Sequence, residues 1–255
     1  MSKNKFLYPV IVLATLISCA EQYSETYNIQ GSSSVSVLDG SKLYLKALMN
    51  DELKNIDSCE VVHGSFGFTG KMDSTHIALL SISDNVPPLL VIEKGDILVK
   101  IDRMGHKVTG TPLNEQLYDY LDKLMQLDNQ RAELGHKQIQ MMLEGMDEQT
   151  IAQRLSVEDQ LLLGQIDSLE TRFILDNQDN VLGPCAFQLL TSGYQYPVLT
   201  PQIEEIMGKA TDKFRKDHYV SVYYSKAKEI LARMRGEIDD EPAVAAAPAE
   251  GGKQP

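Results

Sequence analysis

The sequence of 255 residues has no tryptophan, only 7% aromatic residues, three cysteines and no Cys-x-x-Cys pair. Without tryptophan and with few other rings, a carbohydrate-binding face built on exposed aromatic platforms is disfavoured. Positive charge is also short. Lys and Arg number 24 against 36 Asp and Glu, a net charge of −12, and no basic cluster stands out. Nucleic-acid binding needs a positive footprint on phosphate and is excluded on this ground. There is no Gly-x-Ser-x-Gly elbow, no phosphate-binding P-loop and no Gly-x-Gly-x-x-Gly, so the corresponding hydrolase and nucleotide-binding chemistries have no support. No two of the five histidines, His63, His76, His106, His136 and His218, have metal-ligand spacing. The expectation is a protein with no metal, no cofactor and no catalytic residues. A dispersed glycosidase-type carboxylate pair stays open as the least favoured reading, because such acids need not be neighbours in sequence.

What is present begins with an export signal. Lys3 and Lys5 precede an apolar stretch over residues 6–17, too short to span a bilayer, which takes roughly 20 apolar residues. Leu16-Ile17-Ser18-Cys19 then resembles the lipobox of bacterial lipoproteins. That resemblance implies a signal peptide over residues 1–18. Cys19 then becomes the first mature residue, carrying a diacylglyceryl thioether and fatty acyl chains such as palmitate. Ala20, where Asp would signal inner-membrane retention, favours the outer membrane of the cell envelope. Loss of Lys3 and Lys5 leaves a mature chain of net charge about −14, so the membrane anchor is the lipid on Cys19 and not a polybasic face. Residues 19–26 read as a linker.

Cys59 and Cys185 are the remaining thiols and lie in unlike segments. They read as two separate, mostly buried small hydrophobes. A Cys59–Cys185 bridge is the alternative, since an exported compartment permits it.

The chain changes pattern near Gly110. Over residues 27–110 the signals are strands and turns. Residues 42–48 and 65–69 alternate with a period near two, and Gly64 stands where a tight hairpin needs positive φ. Further strands are expected at 59–63, 76–82, 89–92, 97–101 and 107–109. From residue 111 to 238 the period is helical. Thr111-Pro112 and Thr200-Pro201 read as an N-cap followed by Pro in the first turn. Leu113, Leu117, Leu121 and Leu124 form one stripe. A long exposed helix is expected to about Met146. Ser156-Val-Glu-Asp159 reads as the capping box of a second helix, striped by Leu162, Ile166, Leu169 and Phe173. Gly183-Pro184 reads as a break before a short buried helix at 186–190. Ile203, Met207, Ala210 and Phe214 form the next stripe, and Tyr219, Tyr223 and Tyr224 read as the packed face of a last helix to Met234. Residues 239–255, rich in Ala, Pro, Glu and Gly, are expected to be disordered. The fold class is thus α+β: an N-terminal antiparallel β-sandwich or barrel, an all-helical unit and a disordered C-terminal tail.

Several of these segments resemble a known family. They are Tyr27-Asn-Ile-Gln-Gly31, Asp39-Gly40-Ser-Lys-Leu-Tyr-Leu45, Asp57-Ser58, Val61-Val-His-Gly-Ser-Phe-Gly-Phe-Thr-Gly70, Ile92-Glu-Lys-Gly-Asp-Ile97 and Val108-Thr-Gly-Thr-Pro-Leu-Asn114. Together they are similar to the domain of unknown function that precedes thioredoxin-like domains in exported lipoproteins of the thiol–disulfide interchange and peroxiredoxin-like kind. That family commonly has Asn at the position of His63. Phe173-Ile-Leu-Asp-Asn-Gln-Asp-Asn-Val-Leu-Gly183 resembles the helical connector of the same proteins. In those relatives a thioredoxin domain with a redox Cys-x-x-Cys follows, and here the sequence runs into the 239–255 tail, so redox activity is not carried over. The functional expectation is a lipid-anchored envelope protein that is not an enzyme and acts as a binding or structural module, with a protein partner in the envelope. The alternative is an accessory to a separate thioredoxin-like protein in thiol redox or stress handling.

Overall fold

The computed structural model describes residues 25–49, 52–81 and 87–237. The signal peptide, Cys19, most of the 19–26 linker and the 239–255 tail lie outside the described residues. Among the described residues eight strands come first: β1 Glu25–Ser33, β2 Lys42–Met49, β3 Glu52–Glu60, β4 Ser65–Met72, β5 His76–Ser81, β6 Leu89–Ile92, β7 Gly95–Asp102 and β8 Gly105–Thr109. Six helices follow: α1 Pro112–Leu143, α2 Glu148–Asp176, α3 Leu182–Ser192, α4 Pro201–Lys209, α5 Asp212–Arg215 and α6 His218–Met234. The α+β class is therefore as the sequence indicates.

The strands form two four-stranded sheets, ordered β4-β1-β7-β8 and β3-β2-β5-β6. Alternation sets their inner faces. Tyr27 and Ile29 of β1, Phe66 and Phe68 of β4, and Ile97, Val99 and Ile101 of β7 are buried, while Gln30 next to Ile29, Gly67 between the two phenylalanines and Lys100 between Val99 and Ile101 are exposed. One pairing departs from the antiparallel expectation: β1 and β7 run parallel, with Ile29 opposite Ile97. Parallel neighbours need a long crossover, and here it runs through β2 and β3 of the other sheet, back to β4 beside β1, and through β5 and β6 of the other sheet again.

The β3–β4 turn is a two-residue hairpin. His63 and Gly64 both have positive φ, 51° and 72°, and Val62 and Ser65 exchange two backbone hydrogen bonds of 2.9 and 3.0 Å. Positive φ at both central positions is the type I′ condition. Asn-Gly is the preferred pair for such a turn, and here His63 stands in the Asn position. A Cβ on Gly64 would stand 2.6 Å from the Ser33 carbonyl oxygen, so glycine is required there for space as well.

Two helix boundaries differ from the sequence reading. The second helix begins at Glu148, not near Ser156, which lies inside it. The true signals are Gly145 and Asp147. Gly145 ends α1 with φ of 81°, and bonds from Met146 N–H to Met141 O and from Gly145 N–H to Met142 O close a Schellman turn. Asp147 then caps α2 by accepting from Thr150 N–H at 2.9 Å. Gly183-Pro184 does not break the chain but sits in the first turn of α3, where proline's missing N–H costs nothing. The break precedes it, at 177–181.

One hydrophobic cluster runs through sheets and helices alike, from Ile29, Leu43 and Ile92 through Leu117 and Ile174 to Phe187, Phe214 and Val220. In the helical part Phe187 is the hub: the rings of Phe214, Tyr219 and Tyr223 meet it edge-on at 5.8, 6.4 and 5.6 Å. The last helix thus packs as its tyrosines suggested.

Candidate functional site

Two thiols survive outside the signal region, and the structure keeps them apart. Cys59 is half-buried near the end of β3, and Cys185 is buried in the first turn of α3; neither is in a disulfide. Burial pushes the Cys59 thiol up; a Gly67 backbone N–H acts the other way and Asp57 adds to the rise. Burial alone pushes Cys185 up to about 12. A helix N-terminus can favour thiolate, but here desolvation outweighs it.

The histidines are dispersed. His63 is in the exposed hairpin turn. His106, on β8, meets the Tyr118 ring edge-on at 6.2 Å, and burial pushes its pKa down. His136 is exposed on α1 beside Glu133, at 3.2 Å. His76 and His218, remote in sequence, line one cleft where β2 and β5 meet α3 and α6. The cleft measures about 210 Å³ and is also walled by Leu48, Pro184, Cys185 and Asp217. Drug-sized ligand pockets run from roughly 300 to 1,000 Å³, so only a small molecule fits. His76 Nδ1 lies 2.9 Å from the Ser74 carbonyl oxygen. A carbonyl cannot donate, so Nδ1 carries the proton. The His76 Nε2 is shielded from solvent and has no hydrogen-bond partner among the described residues. Asp217 is engaged: its Oδ1 accepts from Val220 N–H at 3.2 Å and caps α6. No group of three His, Cys, Asp or Glu able to hold a metal occurs among the described residues. The cleft therefore has apolar walls of Leu48, Ile77 and Pro184 beside two imidazoles, with a thiol held in its neutral form.

A second buried polar group lies where α1 and α2 meet α4. The Tyr120 ring stacks on Phe173 at 4.0 Å and 12°, and its hydroxyl is buried without a hydrogen-bond partner among the described residues. Burial, then the Glu170 carboxylate and Cys185, raise its pKa out of reach. Burial likewise raises Glu170; Gln202, donating to Oε2 at 3.0 Å, opposes this, and Asp167 and Asp128 reinforce it.

The polar residues of the family-like segments are engaged elsewhere, in joining strands and helices. The Asn114 side chain is fully buried and pairs with β6 as a strand would: Oδ1 accepts from Val91 N–H and Nδ2 donates to Val91 O, both at 2.8 Å. Glu93 Oε1 accepts from Leu113 N–H at 2.9 Å and Asn114 N–H at 3.2 Å, capping α1 in place of Thr111. The Thr111 hydroxyl instead accepts from Asn114 Nδ2 at 2.8 Å. Asn28 Nδ2 donates to Asp96 Oδ1 at 2.8 Å across the parallel pair. Asp39 Oδ1 accepts from Gly64 N–H at 3.2 Å. In the 173–183 segment, Asn177 Nδ2 donates to Phe173 O, Asn180 Nδ2 to Asn177 Oδ1, and Leu182 N–H to Asn180 Oδ1.

Residues 27–117 match the family model described as Domain of unknown function (DUF4369). No curated protein matches the chain. The matched span ends at Leu117, past both Asn114 and Glu93, so it includes the first turn of α1 and the lock that docks it on β6. The rest of the helical part lies beyond it.

Proposed function

We propose that this chain is a lipid-anchored protein of the bacterial cell envelope, held in the outer membrane through Cys19, that works as a non-enzymatic binding or structural module. The observation that carries the non-enzymatic half is where the family-like polar residues are engaged. Asn28, Asp39, Glu93, Asp96, Asn114, Asn177 and Asn180 are bound to backbone or to one another, which is the work of architecture and not of catalysis. The two thiols agree with it: a dithiol catalyst needs a low-pKa thiolate beside a resolving cysteine, whereas Cys59 and Cys185 are both shifted upward and sit on separate elements. The anchor rests on Leu16-Ile17-Ser18-Cys19, and the junction cleft is the place for a small ligand.

The test has two arms. In an insulin-reduction assay the purified protein turns over no substrate, and alkylation of Cys185 in the native state is slow throughout the neutral range. Turnover lost in Cys185→Ser would sink the module reading, and recovery of a thioredoxin-like protein under thiol-trapping conditions would favour the accessory role. For the anchor, Cys19→Ala moves the protein out of the detergent phase and abolishes metabolic acyl labelling; a variant that keeps both has some other attachment.

A further inference from the structure

A cleft of about 330 Å³ opens between the β7–β8 hairpin and α1. It shares no lining residue with the junction cleft. After the bend at 110–111, α1 turns back along β8. The Tyr118 ring thereby meets His106 edge-on at 6.2 Å, and Asp122 accepts from Lys107 Nζ at 2.8 Å. Tyr118, Leu121, Asp122 and Met125 follow at i, i+3, i+4 and i+7, so they share one helix face. Met125 lies about 10 Å beyond Tyr118 along α1. Met104 lies about 7 Å beyond His106 along β8, in the same direction. The two methionines therefore stand at one end of the cleft, on opposite walls, with His106 further in.

Neither methionine is placed for burial. Met104 is 96% exposed on the two-residue turn between Asp102 and Gly105, and Met125 is 56% exposed. Methionine is unbranched with three rotatable bonds, so both sulfurs can turn into the cleft without backbone movement. His106 is half-buried in the cleft wall, and neither ring nitrogen has a hydrogen-bond partner among the described residues. Its imidazole lone pair is therefore uncommitted. The charges of the lining balance, Lys100 and Lys107 against Asp102 and Asp122. Both carboxylates are engaged: Asp122 with Lys107, and Asp102 Oδ1 with the N–H groups of Met104 and Gly105 at 2.9 and 3.1 Å.

We propose that Met104, His106 and Met125 bind a soft monovalent cation, Cu(I), in this cleft. Thioether sulfur is a soft ligand that selects Cu(I), and imidazole suits copper as well. The donor set carries no charge and the surrounding charges cancel, so a single positive charge meets no net repulsion. A hard divalent ion fits poorly: it wants carboxylate and carbonyl oxygen, and the two carboxylates at hand are already engaged. The spacing of the histidines did not announce this site, because two of its three donors are thioethers, one on a turn and one on a helix. The proposal goes beyond the module reading and does not depend on the anchor.

The experiment titrates the full chain with Cu(I), kept reduced by ascorbate in the absence of oxygen, against the chromophoric chelator bicinchoninate. The expected result is a site with a dissociation constant of about 1 µM or below. The Met104→Leu, Met125→Leu double variant keeps size and apolarity and weakens that site by about 100-fold, while Cys59→Ser leaves it unchanged. In the unsubstituted chain Ag(I), a redox-inert ion of similar softness, shifts the methyl resonances of Met104 and Met125 and the ring resonances of His106 more than those of the other methionines and histidines. That measurement needs no variant and decides the matter if the double change disturbs the fold. No binding up to about 100 µM, binding that the double change leaves intact, loss on Cys59→Ser alone, or Ag(I) shifts centred on other residues each overturns the proposal.

Discussion

The junction of α1 with the sheets and the outer arm of the same helix are built on opposite terms. At the junction, Asn114 and Glu93 leave no backbone group of the first helical turn or of β6 at Val91 without a partner, and Tyr118, buried, donates its hydroxyl to Leu89 O at 3.1 Å at the start of β6. A few turns further on, the helix keeps its geometry with Leu134 as its sole buried residue between 121 and 143. One helix therefore serves as both a core element and an exposed one. The difference teaches where polar residues matter most: a buried amide with fixed partners governs stability, while a surface of charged and amide side chains does not.

The comparison can be broken most sharply at Asn114. Asn114→Ala strands the Val91 N–H and C=O in an apolar interior and should cost about 3 kcal/mol. Leu134→Ala, in the arm, should cost roughly half as much, because the site opens to solvent and can collapse. Urea unfolding of both variants checks this; equal losses would mean that the arm is as well packed as the junction.

A smaller effect comes from Glu170. Its folded-state pKa is raised by burial, so the native state binds a proton more readily than the unfolded chain does. Its contribution is then most favourable below the ordinary glutamate range and is lost as pH rises through the raised value. The difference in stability between the protein and Glu170→Gln should therefore shift in favour of Glu170→Gln as pH rises from about 4 to 7, read as melting temperature against pH. A flat difference would show that Glu170 is well solvated.

The smallest change sharpens the hairpin. His63→Asn, at an exposed position of φ 51°, creates the Asn-Gly pair that type I′ hairpins prefer and should stabilise by about 0.5 kcal/mol. A loss of stability on chemical denaturation would show that the imidazole has a role that the turn geometry does not require.

Much of this was legible in the sequence, and the failures have physical causes. Thr111-Pro112, Thr200-Pro201 and Gly64 announced their boundaries because each meets a local backbone demand. The first half of β3 gave no period-two signal because residues 52–56 are exposed on both faces, and a bulge beside Leu45 and Lys46 shifts its register. Ser156 imitated a capping box, but Asp147 three residues after the α1 C-cap does the capping. The stripe of Ile203, Met207, Ala210 and Phe214 is buried as expected, yet it crosses from α4 into α5, since burial follows packing rather than helix continuity. The junction cleft was invisible, because His76 belongs to a sheet and His218 to the last helix and only packing brings them together.

The parallel pairing of β1 with β7 also sets an order of assembly. β1 is an inner strand of its sheet, flanked by β4 and β7, and it is the first strand among the described residues. The other sheet uses β2, β3, β5 and β6, all of which precede β7. A chain that emerges from its N-terminus can therefore complete the β3-β2-β5-β6 sheet while β1 still lacks one neighbour. Closing the β1–β7 register then brings together residues far apart in sequence, as Tyr27 meets Gly95, and such non-local pairings are the slow steps of folding. Until that moment one edge of β1 is open to any passing strand, and the arrival of β7 turns β1 from an edge strand into an inner one.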